Sequence, residues 1–349
     1  MRIKKEKLKE LIRLKLEKAG LKREHAVVAA EVLVHADLRG VHSHGTMRVE
    51  YYAERIAKGG INTNPHLELE KTGPSTAVYH GDNGVGHYVA DKAMDEAIHI
   101  AEEKGVAVMG VKNMSHSGAL SYVVEKAAKA KMIGISVCQS DPMVVPFGGS
   151  EPYYGTNPIA FSAPGKNGNN IIFDMATTVQ AWGKVLHARS KNEPIDGDWA
   201  VDANGEPTTN PHDVKALLPI AGPKGYGLMM MVDILSGILL GLPFGKNVTS
   251  MYEDLTEYRR LGQLHIVINP AFFTSVDGFL EHISETMLDL NAVTPASGFD
   301  EVLYPGQPNE RIQELYEKEG IEIVDDIYEY LISEDIHYNQ YDHKDPFAE

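Results

Sequence analysis

Cysteine is nearly absent: the 349-residue chain has one, Cys138. No intrachain disulfide can form, no cysteine-based zinc centre is available, and a single thiol suits a reducing cytoplasm. Basic residues are in deficit, with 33 Lys and Arg against 49 Asp and Glu and a net charge of -16. A field of that sign repels phosphate backbones and anionic lipid, which argues against nucleic-acid and membrane partners. A small anionic substrate stays open if a local cation receives it. The basic N-terminus has no apolar signal core. No long uninterrupted apolar run exists either. Residues 226–244 come nearest, but Asp233, Ser236, glycines and Pro243 break them. They read as a buried helix and turn rather than a membrane span.

Several mechanistic signatures are also lacking. There is no Walker loop, no GxSxG elbow and no HExxH. Asn83-Gly84-Val85-Gly86-His87 follows a plausible strand and opens a helix, yet the third glycine of a dinucleotide fingerprint is missing. Gly225-Tyr226-Gly227 lacks it too. An ordinary Rossmann cofactor site is not supported.

What is present is a foldable chain, 43% hydrophobic and 23% charged, of a length that fits two domains of about 150 residues or one large one. Leu8, Leu11, Ile12 and Leu16 recur at helical spacing, and further helices are expected at 26–37 and 45–58. From residue 76 short β-branched runs (76–80, 105–111, 132–139, 158–162, 171–175, 263–269) alternate with helical ones (90–104, 119–130, 225–240). That alternation predicts an α/β sheet with parallel pairs. Helical texture returns after 275. The expected fold is α/β: a central mixed sheet at 76–275 flanked by helical segments 1–75 and 276–349, which pack together. Both tryptophans and Met229, Met230 and Met231 are assigned to the core.

Two constellations carry chemistry. His44, Arg48 and Tyr52 are spaced i, i+4, i+8, so on one helix they share a face. That face offers an imidazole, a phenol and a guanidinium able to hold a planar carboxylate through two hydrogen bonds. Ser43 is placed to cap the helix. The same spacing also fits a surface helix whose arginine pairs with a neighbouring glutamate, and His42 with His44 could be read as a metal pair. The second constellation, Ser115-His116-Ser117-Gly118, follows a strand and precedes a helix, where α/β sheets bind ligands. The helix dipole should keep His116 neutral and able to accept a proton. A histidine merely satisfied by its flanking serines is the other reading. Further loops at element ends (140–142, 174–178, 223–227) read singly as turns and jointly as binding loops, with Lys224 suited to a phosphate.

Taken together, GVHSHGTMR (40–48), SHSGAL (115–120), VPFGG (145–149), YGTNP (154–158), DMATT (174–178), GPKGYGL (222–228) and PGQ (305–307) make the chain resemble the malate/L-lactate dehydrogenase family, the nicotinamide-dependent 2-hydroxy-acid oxidoreductases without the Rossmann fingerprint. QSDPMVVPFGG, ATTVQAWGKVLHARS and AGPKGYGLMMMVD resemble one branch in particular. Its substrate has a neutral group where malate and sulfolactate have a second acid. The resemblance implies NAD as cofactor, a homodimer, and no metal. It implies His116 as the catalytic histidine, with His44 as rival base. Ser43, His44, Arg48 and Tyr52 would lie on the substrate side. Ser140, Asp174, Met175, Ala176, Lys224, Gly306, Gln307 and Pro308 would lie on the NAD side. Gln307 departs from the glutamate common in relatives, leaving a neutral hydrogen bond to a ribose hydroxyl as its expected contact. Malate, L-lactate and sulfolactate dehydrogenases are the alternatives within the family, and no second cation occurs in 40–52 to favour the diacids malate and sulfolactate. A metal-dependent hydrolase built on His42 and His44 and a non-catalytic binding protein are the readings from other classes.

Overall fold

The computed structural model describes residues 1–336. A two-residue strand β1 (Arg2–Ile3) precedes helices α1 (Lys5–Lys18), α2 (Arg23–Leu38) and α3 (Val49–Ala57). The central region runs β2 (Glu68–Lys71), β3 (Thr76–Gly84), α4 (Gly86–Lys104), β4 (Val106–Met114), α5 (Leu120–Lys129), β5 (Ile133–Cys138), β6 (Ile159–Pro164) and β7 (Asn170–Met175). It continues through α6 (Trp182–Lys191), β8 (Ala200–Val201), β9 (Ala216–Leu217), α7 (Pro223–Ser236) and β10 (Leu261–Ile268). Helices α8 (Val276–Ala292) and α9 (Gln307–Glu319), strand β11 (Ile321–Glu322) and α10 (Asp325–Ile332) complete it.

The helical spacing near the N-terminus has its expected consequence. Leu8, Ile12 and Leu16 are fully buried in one cluster with residues of α2, α3 and α10, each worth about 1.5–3 kcal/mol of apolar transfer. The N-terminal helices meet the segment 321–333 there. β1 pairs antiparallel with β11, the terminal ammonium donates to the Ile323 carbonyl at 2.9 Å, and Lys15 Nζ donates to the Ser333 carbonyl at 2.8 Å.

The seven-stranded sheet has the order β2-β3-β4-β10-β5-β6-β7. It is mixed, as expected, but the expected parallel pairs reduce to one, β3 with β4 across α4. Every other neighbouring pair is antiparallel. The physical reason is the late strand β10, which inserts between β4 and β5 and runs against both. β6 likewise runs against β5 and β7. Strands β3, β4, β5 and β7 therefore still point the same way. Their carboxyl ends, at Gly84, Met114, Cys138 and Met175, deliver the loops after them to one edge of the sheet. Strand β2, helix α6 and the β8–β9 ribbon were not legible in the sequence.

The 226–244 run was expected to be a buried helix. α7 buries only one side, packing on β5 and β10. Leu228, Met231, Ile234, Ile238 and Leu239 are exposed. By length and composition alone residues 223–240 would pass as a membrane span. Of the three methionines Met229 is core and Met231 is not. Trp182 is buried and Trp199 half-buried.

Candidate active site

The segment that carries His44 is not the single helix its spacing suggested. His42–His44 and Thr46–Arg48 form two short 3₁₀ turns, and α3 starts only at Val49. The chain bends at Gly45, whose φ and ψ are -98° and -146°. The cause is Asp37, buried at the end of α2. Its carboxylate accepts the Thr46 backbone N–H at 2.7 Å and the Thr46 hydroxyl, and it occupies the space a Cβ on residue 45 would need. Ser43 caps nothing. Its hydroxyl lies 3.0 Å from His44 Nδ1. The three residues nevertheless converge, through the turns rather than along one helix face.

His116 follows β4 as expected and is the ring they converge on. The Tyr52 hydroxyl is 2.5 Å from its Nδ1. The His44 ring stacks on it with centroids 5.7 Å apart and planes at 28°. The flanking serines do not satisfy it. The Ser115 hydroxyl accepts the Gly86 N–H at 2.8 Å, and the Ser117 hydroxyl donates to Gln263 at 3.0 Å. Gly118 N–H points at Nδ1 from 3.3 Å. Position 118 needs glycine, because φ is +76° and a Cβ would stand 3.0 Å from both His87 and Val32.

Arg48 is held in a fixed plane. Its Nε donates to the Ser43 carbonyl at 2.8 Å and one terminal nitrogen to the Tyr252 hydroxyl at 2.6 Å. Tyr252 stands on a segment tied down by Arg259. Arg259 pairs with Asp141 at 3.2 Å, and the Asp141 carboxylate also accepts the Met251 N–H at 3.1 Å. Reading only 40–52 missed this second buried cation, since it lies about two hundred residues downstream. Asp141 balances its charge.

Electrostatics keep the imidazoles neutral. Burial, then repulsion from any charge taken up by His44 and His87 and from the Arg48 and Arg259 guanidiniums, holds His116 well below the ordinary histidine value of 6.5. Desolvation dominates this shift, whereas the sequence pointed to a helix dipole. Burial followed by the Arg48 charge brings His44 down to about 4.

A cleft of about 220 Å³ opens beside this group. Ser43 and His44 line it together with Asp174, Met175 and Ala176 at the end of β7. Asp174 is exposed to the cleft, and its carboxylate accepts the Ser121 N–H at the start of α5, at 2.7 Å. Ser140, Lys224, Gly306, Gln307 and Pro308 are not in the wall. Ser140 stands behind it, 3.1 Å from the wall residue Thr156. Lys224 is exposed on the first turn of α7. Gly306, with φ +91°, lies so close to wall residue Ile172 that a Cβ would be 2.1 Å from its carbonyl oxygen. Pro308 sits in the first turn of α9, one residue before Asn309. The Gln307 amide is engaged: it exchanges hydrogen bonds of 2.8 and 3.1 Å with the Asn291 amide and accepts the Tyr304 N–H at 3.3 Å. Its expected ribose contact competes with these. Sequence reasoning missed the wall residues Arg39, Thr156 and Asn309. Thr156, inside the YGTNP motif, and Asn309, two residues past the PGQ motif, carried a signal.

His42 and His44 turn apart. His42 faces Asp37 at 2.9 Å and the Tyr316 hydroxyl at 3.4 Å, while His44 faces Ser43 and His116. Among the described residues no group of three or more His, Cys, Asp or Glu side chains is placed to hold a metal ion.

The fold and this cleft define a dehydrogenase of the non-Rossmann type. A profile of the malate/L-lactate dehydrogenase family matches residues 3–332, and the chain belongs to that family. It is 62% identical over 349 residues, all of both chains, to the ureidoglycolate dehydrogenase (NAD(+)) of Escherichia coli strain K12. The solved sulfolactate dehydrogenase from Methanocaldococcus jannaschii superposes with a TM-score of 0.89 at 39% identity, covering 95% of each chain. Malate dehydrogenase from Pyrococcus horikoshii superposes with 0.85 at 35% identity, covering 95% of this chain and 93% of that one. Family membership overturns the hydrolase and the non-catalytic readings.

Proposed function

We propose that the protein oxidises (S)-ureidoglycolate to oxalurate with NAD, in purine nitrogen catabolism. The observation that carries this reading is one cleft between His44, beside His116 and Arg48, and the 174–176 loop. The full-length identity to a ureidoglycolate dehydrogenase supports the substrate. The residues at the 174–176 loop and those around it outside the wall suit NAD. Asp174 offers a carboxylate to a ribose, Ser140 and Thr156 offer hydroxyls, Met175 and Ala176 offer backbone at a strand end, and Lys224 offers a cation to phosphate. Gly306, packed on Ile172, brings the Gln307–Pro308 turn to that side. When bound, the nicotinamide accepts the hydride.

Arg48 holds the substrate carboxylate and orients the carbinol carbon, its plane fixed by Ser43 and Tyr252. His116 Nε2 has no hydrogen-bond partner among the described residues. It takes the hydroxyl proton as the C–H electron pair leaves and the C=O bond forms. His44 stacks alongside as the rival base. Arg259 is already paired with Asp141, so a second acid group, as in malate or sulfolactate, finds its charge neutralised. That favours the neutral ureido group.

Screening 2-hydroxy acids, ureidoglycolate included, with NAD and NADP tests the reading. Reduction of NAD fastest with ureidoglycolate is expected, and preference for malate, lactate or sulfolactate would overturn it. Arg48→Lys keeps the charge but loses the planar fork, so KM for the acid rises about tenfold or more with a smaller change in kcat. An unchanged KM would put the carboxylate elsewhere.

The protein works as a cytoplasmic homodimer in this reading. The exposed apolar residues of α7 are the kind of surface a second copy covers. Sedimentation should give about twice the 38.4 kDa chain mass, and Leu239→Asp should shift the equilibrium to monomer. A wild-type monomer would remove the dimer.

A further inference from the structure

Tyr52 was expected among the substrate contacts, yet its hydroxyl is spent on His116 Nδ1 at 2.5 Å. The phenol is 1% exposed. Its ring is wedged between His87, with centroids 4.6 Å apart and planes at 74°, and Tyr51, at 5.1 Å and 65°. This position is over-determined and leaves the oxygen little freedom to reach a substrate.

A proton arriving on Nε2 turns the ring into an imidazolium, in which both nitrogens are donors. Nδ1–H then needs an acceptor. Two groups face Nδ1: the Gly118 N–H, whose long 3.3 Å donation to Nδ1 is given up when that nitrogen carries a proton, and the Tyr52 hydroxyl at 2.5 Å. The Tyr52 hydroxyl can rotate and accept. Among the described residues no carboxylate is hydrogen-bonded or ion-paired to this ring. The other titratable or charged groups acting on it are His44, His87, Arg48 and Arg259, none of which welcomes a cation.

We propose that Tyr52 is a positioning residue for proton transfer: its oxygen accepts Nδ1–H of His116, leaving Nε2 as the lone pair that takes the alcohol proton and steadying the imidazolium that results. The arrangement corresponds to the acid–histidine pair of hydrolases with a neutral partner in place of the carboxylate. It rests on the assignment of His116 as base. Burial raises the Tyr52 hydroxyl well above its ordinary value, so it works as a neutral phenol throughout.

Tyr52→Phe keeps the ring that His87 and Tyr51 grip and removes only the acceptor. The expected result is kcat lowered about 10- to 100-fold, KM for the 2-hydroxy acid within about twofold, and the acidic limb of kcat/KM moved to lower pH, because the imidazolium has lost its partner. Ring-nitrogen NMR of the free protein, with the His116 signal identified by its loss in His116→Ala, should show Nδ1–H in the wild type and a shifted tautomer balance in Tyr52→Phe. A raised KM with unchanged kcat would make Tyr52 a substrate contact and end the proposal. So would an unmoved acidic limb together with an unchanged His116 NMR signature. If Tyr52→Phe does not fold, 3-fluorotyrosine at 52, a weaker acceptor, should shift the limb in the same direction. The NMR arm needs no substrate, so a protein inactive on ureidoglycolate would cost the functional reading without deciding this one.

Discussion

Replacing His116 by alanine lowers kcat by about 10² to 10⁴, while NADH binding, followed by its fluorescence, stays intact. The loss is large because nothing else sits where His116 does. Its ring is locked by Tyr52 on one nitrogen and stacked on His44. Alanine therefore removes both the base and the surface against which His44 is packed. Residual turnover comes from orientation by Arg48 and the cofactor. The wild-type pH profile gives a companion result. On the proposed assignment the base works unprotonated, and burial holds the His116 pKa well below 6.5. Activity in the oxidative direction is lost only as pH falls below that depressed value, so the acidic limb lies under pH 6.5. A His116→Ala enzyme with near-normal turnover would transfer the role to His44, which burial and Arg48 also hold down, to about 4.

Mild acid should destabilise the protein strongly. His35, His87 and His265 are buried, His87 against the Tyr52 ring, and desolvation takes them down to about 4, 3 and 3. Neither ring nitrogen of His87 has a hydrogen-bond partner among the described residues, so nothing compensates a charge there. Each pKa is lower folded than unfolded, and the unfolded chain therefore binds more protons below about 6.5. Stability is fully present above 6.5 and falls as pH drops from there toward each folded value. By pH 5.5 three such histidines together remove about 4 kcal/mol, comparable with much of a domain's net stability of roughly 5–15 kcal/mol. Equilibrium denaturation at pH 7.5, 6.5 and 5.5 checks this. A midpoint independent of pH across that range would mean these rings are hydrated or already charged in the folded state.

The sequence determined a good deal alone. Helix α1 was readable because Leu8, Leu11, Ile12 and Leu16 repeat at the helical period, and the strands because β-branched runs end in glycine or polar turns. His116 was readable because a polar loop between a strand and a helix is a local feature. Family motifs pointed to the turns at 174–178 and 305–308 as the proposed cofactor side, since such turns are written in short local strings.

What only the tertiary structure decided involves residues far apart in the chain. β10 enters the sheet between β4 and β5, making it largely antiparallel, and no local pattern encodes which strand a late segment will pair with. Asp37 breaks the helix expected at 45–58 because a carboxylate from the preceding helix competes for its backbone N–H groups. Arg259 reaches the site from a distant loop. Tyr52 and His116 are brought to 2.5 Å across 64 positions. Periodicity and turn chemistry act over a few residues and are written in the sequence directly, whereas pairing, burial and charge balance arise only when separated segments share one low-dielectric space.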